Sequence, residues 1–125
     1  MEAISEAKRH IDNAKGFLSN NARKEDGLYQ DKKYVKIAGR TAYRGLIIAV
    51  DSLLVNKKRK NEDWYQNELY QIDKKISAHF VTAYQILGTS MGSDRTRSAE
   101  IAKLGMETAE KIISWVENRL TPHTK

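Results

Sequence analysis

From Tyr34 to Leu54, the residues Val35, Ala38, Ala42, Gly45, Leu46, Ala49 and Leu53 recur at helical spacing. Between Leu46 and Val50 the apolar residues go all the way round. A helix that is apolar on every side must be buried on every side, so this segment is expected to be the central post of a helical domain. The small residues at 38, 42, 45 and 49 leave a shallow groove into which a neighbouring helix can pack closely.

Three further blocks share the period. Ile4, Ala7, Ile11, Ala14 and Leu18 form a stripe within Glu2 to Asn21, with Asn20, Asn21 and later Gly27 marking its end. Asp31 is the expected N-cap of the central helix, which runs to about Val55; its carboxylate would accept from unpaired first-turn amides. Asn61-Glu62-Asp63 reads as the next start, a capping residue followed by acids that suit the helix dipole. That third block carries Tyr65, Leu69, Ile72, Ile76, Phe80, Ala83 and Leu87. Its length leaves room for a kink near Asp73–Lys75. Gly88 and Gly92 end it, Gly92 being the better candidate for a left-handed C-terminal residue. After a polar link from Ser93 to Ser98, with Asp94 or Thr96 as cap, comes the strictest stripe: Ala99, Ala102, Met106, Ala109, Ile113, Val116 and Leu120. Its alternating steps of three and four resemble a coiled-coil seam.

Four blocks joined by short links predict an all-α fold, an antiparallel up-down four-helix bundle. One domain over residues 1–120 is expected, with 121–125 as a frayed tail. A single proline, Pro122, lies past the last stripe, and so few helix breakers fit this architecture. The 125 residues are 40% hydrophobic and 30% charged, a globular balance too apolar for a disordered chain. The first residues lack the apolar core of a signal peptide, and no segment approaches the roughly 18 apolar residues of a membrane span. A cytoplasmic protein without membrane contact is therefore expected.

Charge is unevenly spread. Residues 26–61 hold nine Lys/Arg against three Asp/Glu and so account for the whole net charge of +6, with Lys57-Lys58-Arg59-Lys60 the densest run. Such a run is either a solvated loop or a phosphate contact.

Most catalytic chemistry is absent. Without cysteine, this chain has no disulfide, thiol nucleophile or iron–sulfur cluster. None of its nine glutamates has a histidine three residues later, which di-iron bundles require, and His10, His79 and His123 fall in separate segments. The glycines form neither a dinucleotide fingerprint nor a P-loop. No metal or cofactor is expected.

The remaining candidates are ambiguous by type alone. His79, beside the third stripe, reads as a half-buried helix histidine or as a general acid/base lacking a located partner. Arg44 and Asp51 share the polar edge of the central helix, where they either pair with a neighbour or line a pocket. Tyr34, Tyr43, Trp64, Tyr65, Tyr70 and Tyr84 concentrate in the second and third blocks. They read as packing residues, or as stacking surfaces next to phosphate-binding lysines. Trp115, beside the last seam, reads as a packing or dimer anchor.

Several words of the chain carry a resemblance. They are Asp31-Lys32-Lys33-Tyr34-Val35-Lys36-Ile37-Ala38-Gly39 with Thr41-Ala42-Tyr43, then Asp63-Trp64-Tyr65 with Glu68-Leu69, and Lys74-Lys75. Thr82-Ala83-Tyr84 with Ile86-Leu87, Met91-Gly92 and Ala109-Glu110-Lys111-Ile112-Ile113-Ser114-Trp115 continue them. Over residues 1–120 the chain resembles a bacterial family of small helical-bundle proteins that constitutes a domain of unknown function. Where that family has a histidine after the leucine and Tyr-Asp-Gly after Met-Gly, Gly88 and Ser93-Asp94-Arg95 stand here. More distantly, the layout is similar to the HEPN (higher eukaryotes and prokaryotes nucleotide-binding) superfamily, whose helical bundles often dimerise. Catalytic HEPN ribonucleases carry an arginine separated from a following histidine by four to six intervening residues. No arginine here does; Lys74 and His79 come nearest, and lysine lacks the planar fork of guanidinium. The resemblance thus implies a non-catalytic member.

Three functions follow as expectations. The first is a homodimeric, non-enzymatic binding or adaptor module for a protein or nucleotide ligand, using Tyr43, Arg44, Asp51, Trp64, Tyr65, His79 and Tyr84. The second is an RNA- or DNA-binding bundle using Lys32, Lys33, Lys36, Arg40, Lys57, Lys58, Arg59 and Lys60. The third is a degenerate ribonuclease using His79 and Lys74.

Overall fold

The computed structural model describes residues 2–121, so the expected tail lies, but for Thr121, outside the described residues. Five helices carry the fold: α1 (Glu2–Asn20), α2 (Lys32–Leu54), α3 (Glu62–Ile72), α4 (Lys74–Ala83) and α5 (Ala99–Leu120). A short hairpin of β1 (Lys24–Glu25) and β2 (Leu28–Tyr29) separates α1 from α2. The fold is mostly helical.

The central segment is buried over a broad face rather than on every side as expected, because Arg40 and Arg44 are exposed and Ile48 and Asp51 only half-buried on its remaining side. Ala38, Ala42, Leu46, Ala49 and Val50 are wholly inaccessible. Small side chains let neighbours come close. A Cβ on Gly45 would lie 2.8 Å from the Ala7 carbonyl and 2.7 Å from the His10 Cβ, so α1 crosses α2 almost backbone to backbone. A Cβ on Gly39 would lie 2.6 Å from the Leu87 carbonyl. Ion pairs from Lys8 to Glu117 (2.9 Å) and Lys15 to Glu110 (2.7 Å) link α1 to α5. Seven residues forward on α1 match seven backward on α5, so the two helices run antiparallel.

The expected third block is two helices, not one. Asp73 has extended backbone (φ −158°, ψ 114°); its N–H donates to the Leu69 carbonyl, closing α3, while its carboxylate accepts from Ile76 N–H at 3.1 Å, opening α4. The Ser77 hydroxyl donates to the Gln66 carbonyl at 3.0 Å. In one straight helix, eleven residues would span about 16 Å, so the chain doubles back at this corner. Ile72, at the corner, is exposed rather than part of the stripe. The sequence places the kink correctly but underestimates its sharpness.

Past Ala83 the helix widens into a π-helical stretch, Tyr84–Met91. Gly92 that follows is right-handed (φ −69°), so the expected left-handed role falls to Arg95 (φ 54°). Gly92 is small for another reason: a Cβ there would meet the Gly88 carbonyl at 2.5 Å.

The caps are partly as expected. Asp31 accepts from Lys33 N–H and Asn61 from Trp64 N–H. α5 is capped by Ser98, which accepts from Ile101 N–H, rather than by Asp94 or Thr96. Gly27 does not end α1; with Asp26 it forms the turn of the hairpin, both residues having positive φ (52° and 77°). Asp-Gly is a strong hairpin signal that the helical reading passed over. The hairpin secures the start of α5, because Tyr29 N–H donates to the Arg97 carbonyl at 2.7 Å and Arg97 Nε donates back to the Tyr29 carbonyl at 3.0 Å.

Candidate functional site

The close crossing at Gly45 sets α1 and α2 side by side and leaves a cleft along their solvent edge. Its volume is about 560 Å³. His10, Asn13 and Phe17 enter from α1 and Arg40, Thr41, Tyr43 and Arg44 from α2; Arg59 closes it from the loop after α2, and Gly88 from the π-helical stretch. Arg40 and Arg44 are one turn apart, so they share a face of α2. Three guanidinium groups therefore border one concavity, and no carboxylate lines it. The ion pairs among the described residues, Lys8–Glu117 and Lys15–Glu110, engage none of the three. His10 Nδ1 lies 2.8 Å from the Glu6 carbonyl. A carbonyl only accepts, so Nδ1 carries the hydrogen.

A second cluster holds Arg59 in place. Asp51 Oδ1 accepts from the Tyr65 hydroxyl and from Asn56 Nδ2, each at 2.8 Å, and Asn56 Nδ2 also donates to the Lys58 carbonyl at 2.6 Å. The loop 56–60 is thus tied to α2 and α3 through partly buried, hydrogen-bonded groups. Burial, and then the bond to Asp51, push the Tyr65 hydroxyl above its ordinary 10.0. The Arg59 guanidinium consequently lies 5.5 Å from the centroid of the Tyr43 ring, within cation–π reach. Tyr43 packs in turn on Tyr84 (5.6 Å) and Phe80 (6.4 Å), and burial pushes its hydroxyl far up, which keeps it neutral.

The structure re-sorts the candidates. Tyr43 and Arg44, expected as ligand contacts, meet Arg40 and Arg59, expected as nucleic-acid contacts, in one cleft. Asp51 and Tyr65 are bonded to each other within the lock. Trp64 stands edge-on to Tyr65 at 5.2 Å, with Lys60 Nζ 5.7 Å from its ring. Tyr84 borders a smaller hollow of about 230 Å³ with Glu62 and Asp63. Burial and then Glu62 raise its hydroxyl. His79 is half-buried on α4, away from the cleft lining. Lys74 lies over the Tyr70 ring at 5.6 Å, and five residues of helix put it about 140° around from His79. Lys33 lies over Tyr34 at 5.0 Å, Lys36 is half-buried, and Lys32, Lys57 and Lys58 are exposed outside the cleft lining. Lys33, Lys36, Arg40 and Arg44 nevertheless follow one another at steps of three and four, so they share one face of α2. Sequence reasoning missed His10, Asn13, Phe17 and Thr41. Only the small-residue groove, which implied a close neighbour for α2, hinted that another helix would supply the first three.

Among the described residues no group of three or more His, Cys, Asp or Glu side chains is placed to hold a metal. No described helix is long and apolar enough to cross a membrane.

Residues 2–118 match the family described as Domain of unknown function (DUF5618). The chain belongs to this family. A solved structure, a protein of unknown function from Dyadobacter fermentans, is similar to this DUF5618 member at 49% identity and a TM-score of 0.91. The match covers 96% of this chain and 97% of that one. No curated protein matches the chain.

Proposed function

We propose that this DUF5618 chain is a non-catalytic binding module, an antiparallel four-helix bundle of HEPN-like layout, whose ligand occupies the α1–α2 cleft. One observation carries the reading: Tyr43, Arg40 and Arg44 of α2 and Arg59 of the following loop border a single concavity, while Asp51 and Tyr65 are bonded to each other away from it. α1, α2, α4 with its π-helical extension, and α5 supply the four members of the bundle, and α3 is an added corner helix. The non-catalytic part is supported by the separation of His79 from Lys74 and of both from the cleft. We further propose that the module works as a homodimer.

Native mass spectrometry of the protein purified from its own host tests this. The expected result is a bound species displaced by Arg44→Gln; an adduct indifferent to Arg44→Gln and Arg40→Gln overturns the cleft assignment. RNA cleavage that His79→Ala abolishes overturns the non-catalytic reading. Sedimentation checks the dimer, which a concentration-independent monomer excludes.

RNA binding is the second reading, favoured by the same guanidinium groups. It requires affinity that falls steeply with salt as counterions are released. The stripe of Lys33, Lys36, Arg40 and Arg44 along one face of α2 supports a strand contact, to which Lys32, Lys57 and Lys58, outside the cleft lining, add nothing within the cleft.

A further inference from the structure

We infer that the cleft is a receptor for the phosphate or pyrophosphate group of a small phosphorylated molecule, held by Arg40, Arg44 and Arg59. This rests on the reading of the cleft as the ligand site and adds the chemical class of the ligand. Guanidinium offers planar, paired N–H donors that match phosphate oxygens, and charge-assisted bonds of this kind are about twice as strong as neutral ones. Three such groups line one hollow with no carboxylate among its lining residues, while Glu62, outside the lining, acts on its Tyr43 wall.

Two features separate this arrangement from a solvated basic surface. Arg59 is fixed: the loop that carries it is anchored by Asp51, Asn56 and Tyr65, and its guanidinium rests over the Tyr43 ring. An anchored guanidinium loses less conformational entropy on binding than a free one. The three groups also converge. A hollow of about 560 Å³ suits a compact ligand, whereas a nucleic-acid strand needs cations spaced along a track. Tyr43, neutral and already covered by Arg59 and Tyr84, forms part of the wall rather than a free stacking platform.

The test is a titration of the full chain at low salt with inorganic pyrophosphate, inorganic phosphate and a 12-nucleotide RNA, read by calorimetry and by arginine side-chain NMR. The expected result is saturable pyrophosphate binding that moves the Nε–H signals of Arg40, Arg44 and Arg59. Each of Arg40→Gln, Arg44→Gln and Arg59→Gln should weaken it about tenfold. Arg44→Lys should recover only part of the loss, because it keeps charge without the fork. The double variant Lys57→Ala/Lys58→Ala, outside the cleft lining, should bind as the parent does. These arginines are exposed, so the variants are expected to fold, and thermal melts verify it. Pyrophosphate binding that is lost equally in the lysine variant overturns the inference. So does absence of saturable pyrophosphate binding. In that second case, RNA or a host-derived ligand that still shifts the three arginines leaves the cleft standing as the ligand site and removes only the phosphate assignment; shifts confined to other surfaces remove both.

Discussion

Arg44 and Asp51 lie about two turns apart on α2, both on its polar edge, yet their surroundings are opposite. Arg44 borders an open cleft whose lining holds two more guanidinium groups and no acid. Asp51 accepts two hydrogen bonds at 2.8 Å and is half-buried behind Tyr65 and Asn56. The lesson is that residue type and edge position do not separate a binding residue from a structural one. What separates them is whether the side chain's hydrogen-bonding capacity is already filled by the protein. The two regions are nevertheless coupled, because the filled one holds the loop that brings Arg59 to the open one.

Breaking the lock should have the largest effect. Asp51→Ala strips the Tyr65 hydroxyl of its acceptor and the Asn56 amide of one of its two, and should cost about 2 kcal/mol of stability, read by denaturant unfolding. Pyrophosphate affinity should fall as well, since Arg59 loses its support; a variant that keeps full affinity would uncouple the two regions.

Tyr65→Phe is milder, removing one donor while Asn56 still serves Asp51, and should cost about 1 kcal/mol. It should also flatten the alkaline limb. Tyr65 is raised above 10.0 in the folded chain, so its contribution is intact below pH 10.0 and declines above it, where the unfolded chain gives up the proton more readily. Unfolding free energy measured against pH should therefore drop less steeply above pH 10.0 in the variant than in the parent.

Val55, between the regions at the end of α2, holds a left-handed conformation (φ 52°) although β-branched, and it is 79% exposed. Val55→Gly should raise stability by roughly 1 kcal/mol, because glycine adopts that geometry freely and little buried surface is lost. A higher melting temperature with unchanged ligand affinity is the expected outcome. Smallest of all, Arg44→Gln should alter stability by less than about 0.5 kcal/mol, as an exposed side chain without an ion-pair partner does. A larger loss would mean that the arginine is structural, like Asp51.

The sequence was informative wherever one segment carried the whole signal. The burial of the broad face of α2 follows from its dense run of apolar and small residues, and the α1 and α5 stripes from steps of three and four. The Asp31 and Asn61 caps are local as well, since a capping side chain reaches amides two or three residues away. The hairpin at Asp26-Gly27 is local too, but its two-residue strands are too short to show an alternating pattern. The π-helical stretch had no comparable mark beyond Gly88 within it and Gly92 just after it.

The site is another matter. The number and kind of its charged groups are written in the chain, and so is the excess of cations over residues 26–61. Which of them meet is not. His10 and Arg44 are far apart in sequence and come together only because α1 crosses α2 at Gly45. Asp51 finds Tyr65 only because α3 folds back across the end of α2. Helical periodicity fixes the direction of each side chain around its own axis, but the pairing of faces is settled by how several helices fill one core together.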